Sequence, residues 1–486
     1  MRTSPVTVTG GTIVGVHAEG LKTYLGIPFA APPVGDLRWR APQPVVPWDG
    51  IKEATSFSPA CAQTAVWLNE TKSEDGLYLN VWAPEDAENL PVIVWIHGGG
   101  YYGGSGKYSC DNLARRGAVI VSMNYRLGVL GFFSHPELTA ESPHHASGNQ
   151  ALQDQIAALH WVQHNITTFG GDPGSVTIMG QSSGGESVAI LIASPLAKGL
   201  FHRAISQSGN DSLPINTDDY IRFDQQAAAE ATGLSYAESL GANSLADLRK
   251  MSVESLHAAF FSPRTVVDGY VLHDDLTTTY RNHHQNDVPL LAGWNAEEGK
   301  DLTQEINGID DLTPSQVQEL VKRLLGREPS AALLAAYPGI IAATPERAVI
   351  DQLMNDWWGW RIAYWAGLQA KYGRSKSYLY FFAHQPAEPL VPCSYGGGAG
   401  HGAEVPYVFY NLESDPRPWT AKDHQLATQL ADTWLHFART GTPNGPALAA
   451  WPAYDGSHPT VLRIGNEAEL KAHPLPDFTL FATQRE

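Results

Sequence analysis

Ser175-Val176-Thr177-Ile178-Met179-Gly180-Gln181-Ser182-Ser183-Gly184 decides how this chain folds. Its β-branched first half predicts a strand, and Gly180-Gln181-Ser182-Ser183-Gly184 has the G-x-S-x-G spacing of a sharp turn into a helix. The helix is expected to run on through Ser187 to Ala193. Such a turn holds its central serine in a strained backbone and lifts the hydroxyl above the sheet edge. The flanking glycines let strand and helix approach without Cβ clashes. The N–H of Ser183, at the helix N-terminus, then points to where a carbonyl oxygen would gain negative charge. The pentapeptide alone is common by chance; its strand–turn–helix setting makes Ser182 a candidate nucleophile.

Working outward, Pro91–Ile96 and Ala118–Met123 read as strands buried on both faces, separated by the short segment Asn112–Gly117 with its helix-stop glycine. Gln150–His164 carries Leu152, Ile156, Leu159 and Trp161 near a 3–4 spacing and is expected to be helical. Val288–Gly293 and Lys376–Phe382 are further strand candidates, and Leu426–Thr440 is a last amphipathic helix. Strand and helix alternate, which predicts an α/β protein with a large, mostly parallel, twisted sheet flanked by helices. Residues 216–350 read as helical insertions over the C-terminal edge of that sheet. No Pro/Gly/Ser linker, composition break or internal repeat divides residues 1–486, so one domain is expected.

The chain has 486 residues and 43% apolar content, enough for a large core. A formal charge of −18 repels phosphate backbones and anionic lipid, so neither nucleic acid nor membrane is an expected partner. Met1 to Gly11 holds no unbroken apolar stretch of the kind an export signal needs, and no run is long enough to span a bilayer. Cys61, Cys110 and Cys393 are far apart, odd in number and not spaced as a metal site. These features together predict a cytoplasmic home. On that reading Asn69-Glu70-Thr71, Asn165-Ile166-Thr167 and Asn210-Asp211-Ser212 match the glycosylation pattern by chance.

His97-Gly98-Gly99-Gly100 follows the strand ending at Ile96 and offers backbone N–H groups in a concave turn, suited to an oxyanion. Gly98, Gly100 and Gly103 also satisfy the dinucleotide-binding spacing. That reading wants a helix next and an acidic residue at the end of the following strand. Here Tyr101-Tyr102-Gly103-Gly104-Ser105-Gly106 is a poor helix start and the next strand ends at Asn124, so no cofactor is expected. A nucleophilic serine needs a base, and the base an orienting carboxylate, in the order Ser, Asp/Glu, His. Among 18 histidines, His144-His145 and His283-His284 lie in polar surroundings expected to be surface loops. His401 lies in the glycine-flanked loop Gly400-His401-Gly402 after a strand. Asp172 precedes the serine and is out of order. Glu297 and Glu298, just past the Val288–Gly293 strand, are both correctly placed, and composition does not separate them.

The chain resembles the type-B carboxylesterases, the group that contains cholinesterases and bacterial p-nitrobenzyl esterases. The likeness runs through Tyr24-Leu25-Gly26-Ile27-Pro28-Phe29-Ala30, Pro32-Pro33-Val34-Gly35, Glu74-Asp75-Gly76-Leu77-Tyr78-Leu79-Asn80-Val81-Trp82 and Asn124-Tyr125-Arg126. It continues through Phe169-Gly170-Gly171-Asp172-Pro173 and Gln207-Ser208-Gly209 to Trp434–Gly441. The resemblance implies the α/β-hydrolase fold and ester hydrolysis with no metal or cofactor. It implies Glu298 as the acid, through Gly293, Asn295, Glu298 and Gly299. It also implies His401 as the base, with Gly99, Gly100 and Ser183 as oxyanion donors.

Four departures stand out. Gly76 occupies the place of a disulfide cysteine, leaving Cys61 without its mate. Gln181 replaces a glutamate, and Glu186 replaces a small residue one turn beyond Ser182. The simpler reading of Glu186 is a first-turn acid favoured by the helix dipole; the sharper one is a relocated carboxylate. Gly359 stands where relatives carry phenylalanine, with Ile362 in place of a proline, which would widen the pocket unless nearby tryptophans refill it. Trp67, Tyr101, Tyr102, Trp357, Trp358, Gly359 and Trp360 are expected to line that pocket. The expected ligand is a small-molecule ester, and the expected state a monomer or small homo-oligomer. Amide or carbamate hydrolysis, lipase action and a non-catalytic binding module are the alternatives; no long apolar lid helix favours the lipase.

Overall fold

Val92, Ile93, Val94 and Ile96 are fully enclosed, as are Val119, Ile120, Val121 and Met123. A strand apolar on both faces needs cover on both faces, and flanking helices supply it. The computed structural model describes residues 1–209, 223–300, 313–325, 328–340, 347–387, 398–414, 417–445, 450–456, 460–465, 470–474 and 478–481. Cys393 and Asn210-Asp211-Ser212 lie outside the described residues. The chain forms two compact units: Met1–Ile205 with Phe223–Asn286, and Ser206–Arg222 with Asp287–Glu486. Residues 216–350, expected as helical insertions, are therefore divided between them.

In the first unit the strands are β1 (Val16–Ala18), β2 (Leu21–Pro28), β3 (Tyr78–Pro84), β4 (Leu90–Ile96), β5 (Val119–Met123), β6 (Gly171–Gln181) and the first three residues of β7 (Arg203–Gln207), whose Ser206 and Gln207 belong to the second unit. Their order is β7-β6-β4-β5-β3-β2-β1. Strands β6, β4 and β5 are parallel, while β3 runs antiparallel to both β5 and β2. The antiparallel β2 escaped the sequence reading for a physical reason. A register shift between Tyr24 and Ile27 breaks its period-2 alternation, and it contains Gly26 and Pro28. Helices α1 (Gln150–Asn165) and α2 (Ser183–Ala193) lie where the periodicity places them, α2 beginning directly after Ser182. Because β4 and β6 are parallel with Gly180 opposite Ile96, the chain leaves both strands at the same edge.

In the second unit β8 (Leu290–Asn295), β9 (Ser377–Phe382), β10 (Thr460–Ile464) and β11 (Leu470–Pro474) are ordered β11-β10-β9-β8. Strands β8, β9 and β10 are parallel, and β11 returns antiparallel. Helix α3 (Arg347–Tyr372) carries the tryptophan run, and α4 (Ala421–Thr440) opens with a Thr420–Asp423 capping box and stops at Gly441, whose φ of 76° any side chain would resist. Asp423 also takes hydrogen bonds from Tyr407 Oη and His384 Nε2, each at 2.7 Å. Among the described residues no group of His, Cys, Asp or Glu could hold a metal ion, and no helix is long and apolar enough to cross a membrane.

Candidate active site

Ser182 has φ 56° and ψ −129°, a backbone strained for any side chain, and its carbonyl accepts the first helical hydrogen bond from Glu186 N–H at 2.9 Å. The glycines around it are there for space. A Cβ on Gly184 would lie 2.0 Å from Ile96 O, and one on Gly98 would lie 2.8 Å from Ser182 Cβ. Only bare backbone lets the end of β4 pack against the serine turn. Gly99 and Gly100 follow with φ 114° and 63°, and Tyr102 and Gly103 N–H both donate to Gly99 O, at 3.0 and 3.1 Å. Gln63, which the sequence did not single out, braces this loop by exchanging two hydrogen bonds with the backbone of Gly104, each 2.8 Å. The first unit thus presents a hydroxyl on a strained turn beside a glycine loop and a helix N-terminus, an arrangement suited to holding an oxyanion.

His97 introduces this loop but is not placed as a base. Its ring is buried, stacked on Tyr125 with centroids 4.3 Å apart, and its Nδ1–H donates to Gly98 O at 2.9 Å. Burial lowers its pKa to about 4, so the ring is neutral at neutral pH. Glu186 is 1% exposed, so it is no ordinary solvated first-turn acid.

In the second unit Glu298 is wholly buried, and its Oε2 lies 2.5 Å from His401 Nδ1. Its Oε1 accepts from Asn295 N–H at 2.9 Å and from the hydroxyl of Ser208. Glu298 N–H donates to Asn355 Oδ1 at 3.2 Å, which ties the acid to α3. A carboxylate that fixes Nδ1–H leaves Nε2 with the lone pair, the state a general base requires. The neighbouring Glu297 does something different. Its Oε2 accepts from Ala399 N–H at 2.8 Å while its own N–H donates to Ala399 O at 2.9 Å, so it grips the backbone two residues before His401.

Asn295 extends the network, donating from Nδ2 to Gly400 O at 2.7 Å and to Glu404 Oε2 at 2.6 Å. Gln207 donates to the other oxygen of Glu404 at 2.9 Å. Burial pushes the Glu404 carboxyl above the usual carboxylate range, against the pull of these two hydrogen bonds. Ser208, Asn355 and Glu404 carried no signal of their own in the sequence. Ser208 appeared only as part of a shared motif.

The residues expected to line a pocket have different surroundings. Trp358 lies edge-on to the His401 ring, centroids 6.0 Å apart and planes at 83°. Trp357 instead lies under the Arg361 guanidinium, and Trp360 stacks on Phe481. Gly359 does not open space: a Cβ there would lie 2.6 Å from the Trp294 ring, so that indole fills the volume a side chain would have taken. Tyr101 is a correction of the same kind, since its ring is 1% exposed and packs on Phe132 and Tyr125. Tyr102 is half-buried, its hydroxyl 3.3 Å from Ser262 Oγ. Trp67 is 67% exposed, with its ring edge beside Gly103.

Comparison with known proteins gives the family and the fold. Residues 2–478 match a family model described as the carboxylesterase family. The chain is 34% identical to the para-nitrobenzyl esterase of Bacillus subtilis (strain 168), covering 96% of each sequence. It is 35% identical to the fumonisin B1 esterase of Sphingopyxis macrogoltabida, over 92% of this chain and 83% of that one. Among solved structures a PNB esterase superposes with TM-score 0.81 at 31% identity, covering 98% of both chains. A thermophilic PNB esterase gives 0.84 at 30%. The fold is that of the α/β-hydrolases.

Proposed function

The chain belongs to the carboxylesterase family and is a carboxylic ester hydrolase, and on that premise we propose that it works through an acyl-enzyme on Ser182. His401, oriented by Glu298, takes the proton of Ser182 as the hydroxyl attacks the ester carbonyl. Gly99, Gly100 and Ser183 N–H groups hold the oxyanion, and losing one such donor typically costs about 10²–10³ in rate. His401 then protonates the departing alcohol and activates the water that releases the acid. The observation that carries this reading is the 2.5 Å contact between Glu298 Oε2 and His401 Nδ1. A carboxylate on Nδ1 fixes the tautomer that puts the lone pair on Nε2, as a general base requires.

A fluorophosphonate probe tests the proposal. Labelling that disappears in Ser182→Ala supports it. Absence of labelling in the wild-type protein would favour a non-catalytic binding module. Small soluble esters are the proposed substrates. The names of the para-nitrobenzyl and fumonisin B1 esterases span very different esters, so a panel of acyl lengths and alcohol sizes, with matched amides and carbamates, defines the range. Trp358, against the His401 ring, is the aromatic we expect substrate to meet. The buried free thiols Cys61 and Cys110 fit a reducing, cytoplasmic home.

A further inference from the structure

We propose that the hydroxyl of Ser183 ties the glycine loop to the nucleophile helix and so sets the geometry of the oxyanion site. The proposal rests on the reading of Gly99, Gly100 and Ser183 N–H groups as oxyanion donors. Those donors come from two segments, the loop after β4 and the first turn of α2. Catalysis by fixed donors requires that the segments not shift against each other as charge develops.

The tie is made of side chains the mechanism does not otherwise use. Ser183 Oγ accepts from Tyr101 N–H at 3.2 Å, a contact between residues 82 apart in the chain. Tyr101 directly follows Gly100 and has φ 64°, a conformation a non-glycine residue holds only when its surroundings impose it. Its phenol lies 3.1 Å from Ser187 Oγ, and Gln155 Nε2 donates to that same oxygen at 3.0 Å. Ser183 and Ser187 are one helical turn apart on one face of α2. Tyr101 is thereby fastened to the nucleophile helix at both ends, by its backbone at Ser183 and by its ring tip at Ser187.

A second strand of the tie runs through Tyr125. Its hydroxyl donates to His97 O at 2.6 Å, at the root of the glycine loop. Its ring stacks on His97 and lies edge-on to Tyr101, centroids 6.5 Å apart and planes at 73°. Ser183 Oγ accepts from Tyr101, which fastens the outer end of the glycine loop, while Tyr125 O–H holds its root at His97 O. Ser183, Tyr101, Tyr125 and His97 are all buried, so water does not replace a lost member.

Ser183→Ala keeps the backbone N–H and removes only the tie. It should lower kcat by about 10- to 100-fold, the scale of a small misplacement of reacting groups, and leave KM within about threefold. Affinity for a trifluoromethyl ketone, whose hemiketal oxygen mimics the oxyanion, should fall by the same factor as kcat/KM. A loss of packing alone would not move the two together. Tyr125→Phe, which deletes one oxygen, should give a smaller loss of the same kind and serves alone should Ser183→Ala not fold. The double variant should cost no more than about threefold beyond the worse single one, because both loosen the same glycine loop. Fully multiplicative losses, or Ser183→Ala with kcat and ketone affinity within threefold of wild type, overturn the tie. A wild-type protein with neither ester hydrolysis nor Ser182 labelling overturns the oxyanion reading, and the tie with it.

Discussion

Replacing His97 with asparagine should flatten the dependence of stability on pH between about pH 7 and pH 5. His97 is 4% exposed, stacked on Tyr125, and its pKa is lowered from 6.5 to about 4 by burial. A histidine depressed in the folded state binds fewer protons there than in the unfolded chain at any pH between those two values. Its contribution is therefore fully present above pH 6.5 and is lost as pH falls toward 4. At about 1.4 kcal/mol per pKa unit, the gap from 6.5 to about 4 amounts to roughly 3 kcal/mol, of which about 2 kcal/mol is gone by pH 5. Asparagine keeps a donor for Gly98 O and never charges. The variant should lose about 1 kcal/mol of ring stacking at every pH. The assay is urea unfolding followed by tryptophan fluorescence at about pH 7.5 and pH 5, wild type against His97→Asn. Buried carboxylates titrate alike in both proteins and cancel in the comparison. Equal losses of stability on acidification in the two proteins would refute the reasoning.

Other expectations follow from single contacts. Glu186→Gln removes a buried carboxylate one turn from Ser182 and should lower kcat by about tenfold, or about 1.4 kcal/mol, with an altered pH–rate profile. Unchanged kcat and profile would assign Glu186 to the helix alone. Gly359→Ala drives a methyl against the Trp294 ring and should destabilise by about 1–3 kcal/mol in thermal unfolding; an unchanged Tm would show that α3 can move aside. A Cβ on Gly76 would lie 2.7 Å from Cys61 Sγ, so the Gly76→Cys variant should form a disulfide to Cys61 on oxidation. Closing that loop is worth about 3 kcal/mol, set against the crowding at Cys61, so Tm should be higher oxidised than reduced. Two free thiols at these positions after oxidation would contradict it.

What the sequence determined by itself is what short range controls. The turn at Ser182 was legible because strand, glycines and helix start are contiguous, and each imposes its geometry on the next residue. The same holds for β4, β5, α1 and the glycine loop, where periodicity and apolar runs decide burial locally. Tertiary structure decided the rest. Glu297 and Glu298 are neighbours of identical composition, yet one holds the His401 ring and the other the backbone before it, because successive loop residues point different ways. From its own position Gly359 could open a pocket or be refilled by a neighbouring tryptophan, and its space belongs to Trp294 on a strand far away in the chain. The Ser183 hydroxyl gains its meaning from Tyr101, distant in sequence and brought to it only by the parallel register of β4 and β6. Periodicity reports which face of an element is buried; which distant side chain meets it there is settled only by packing.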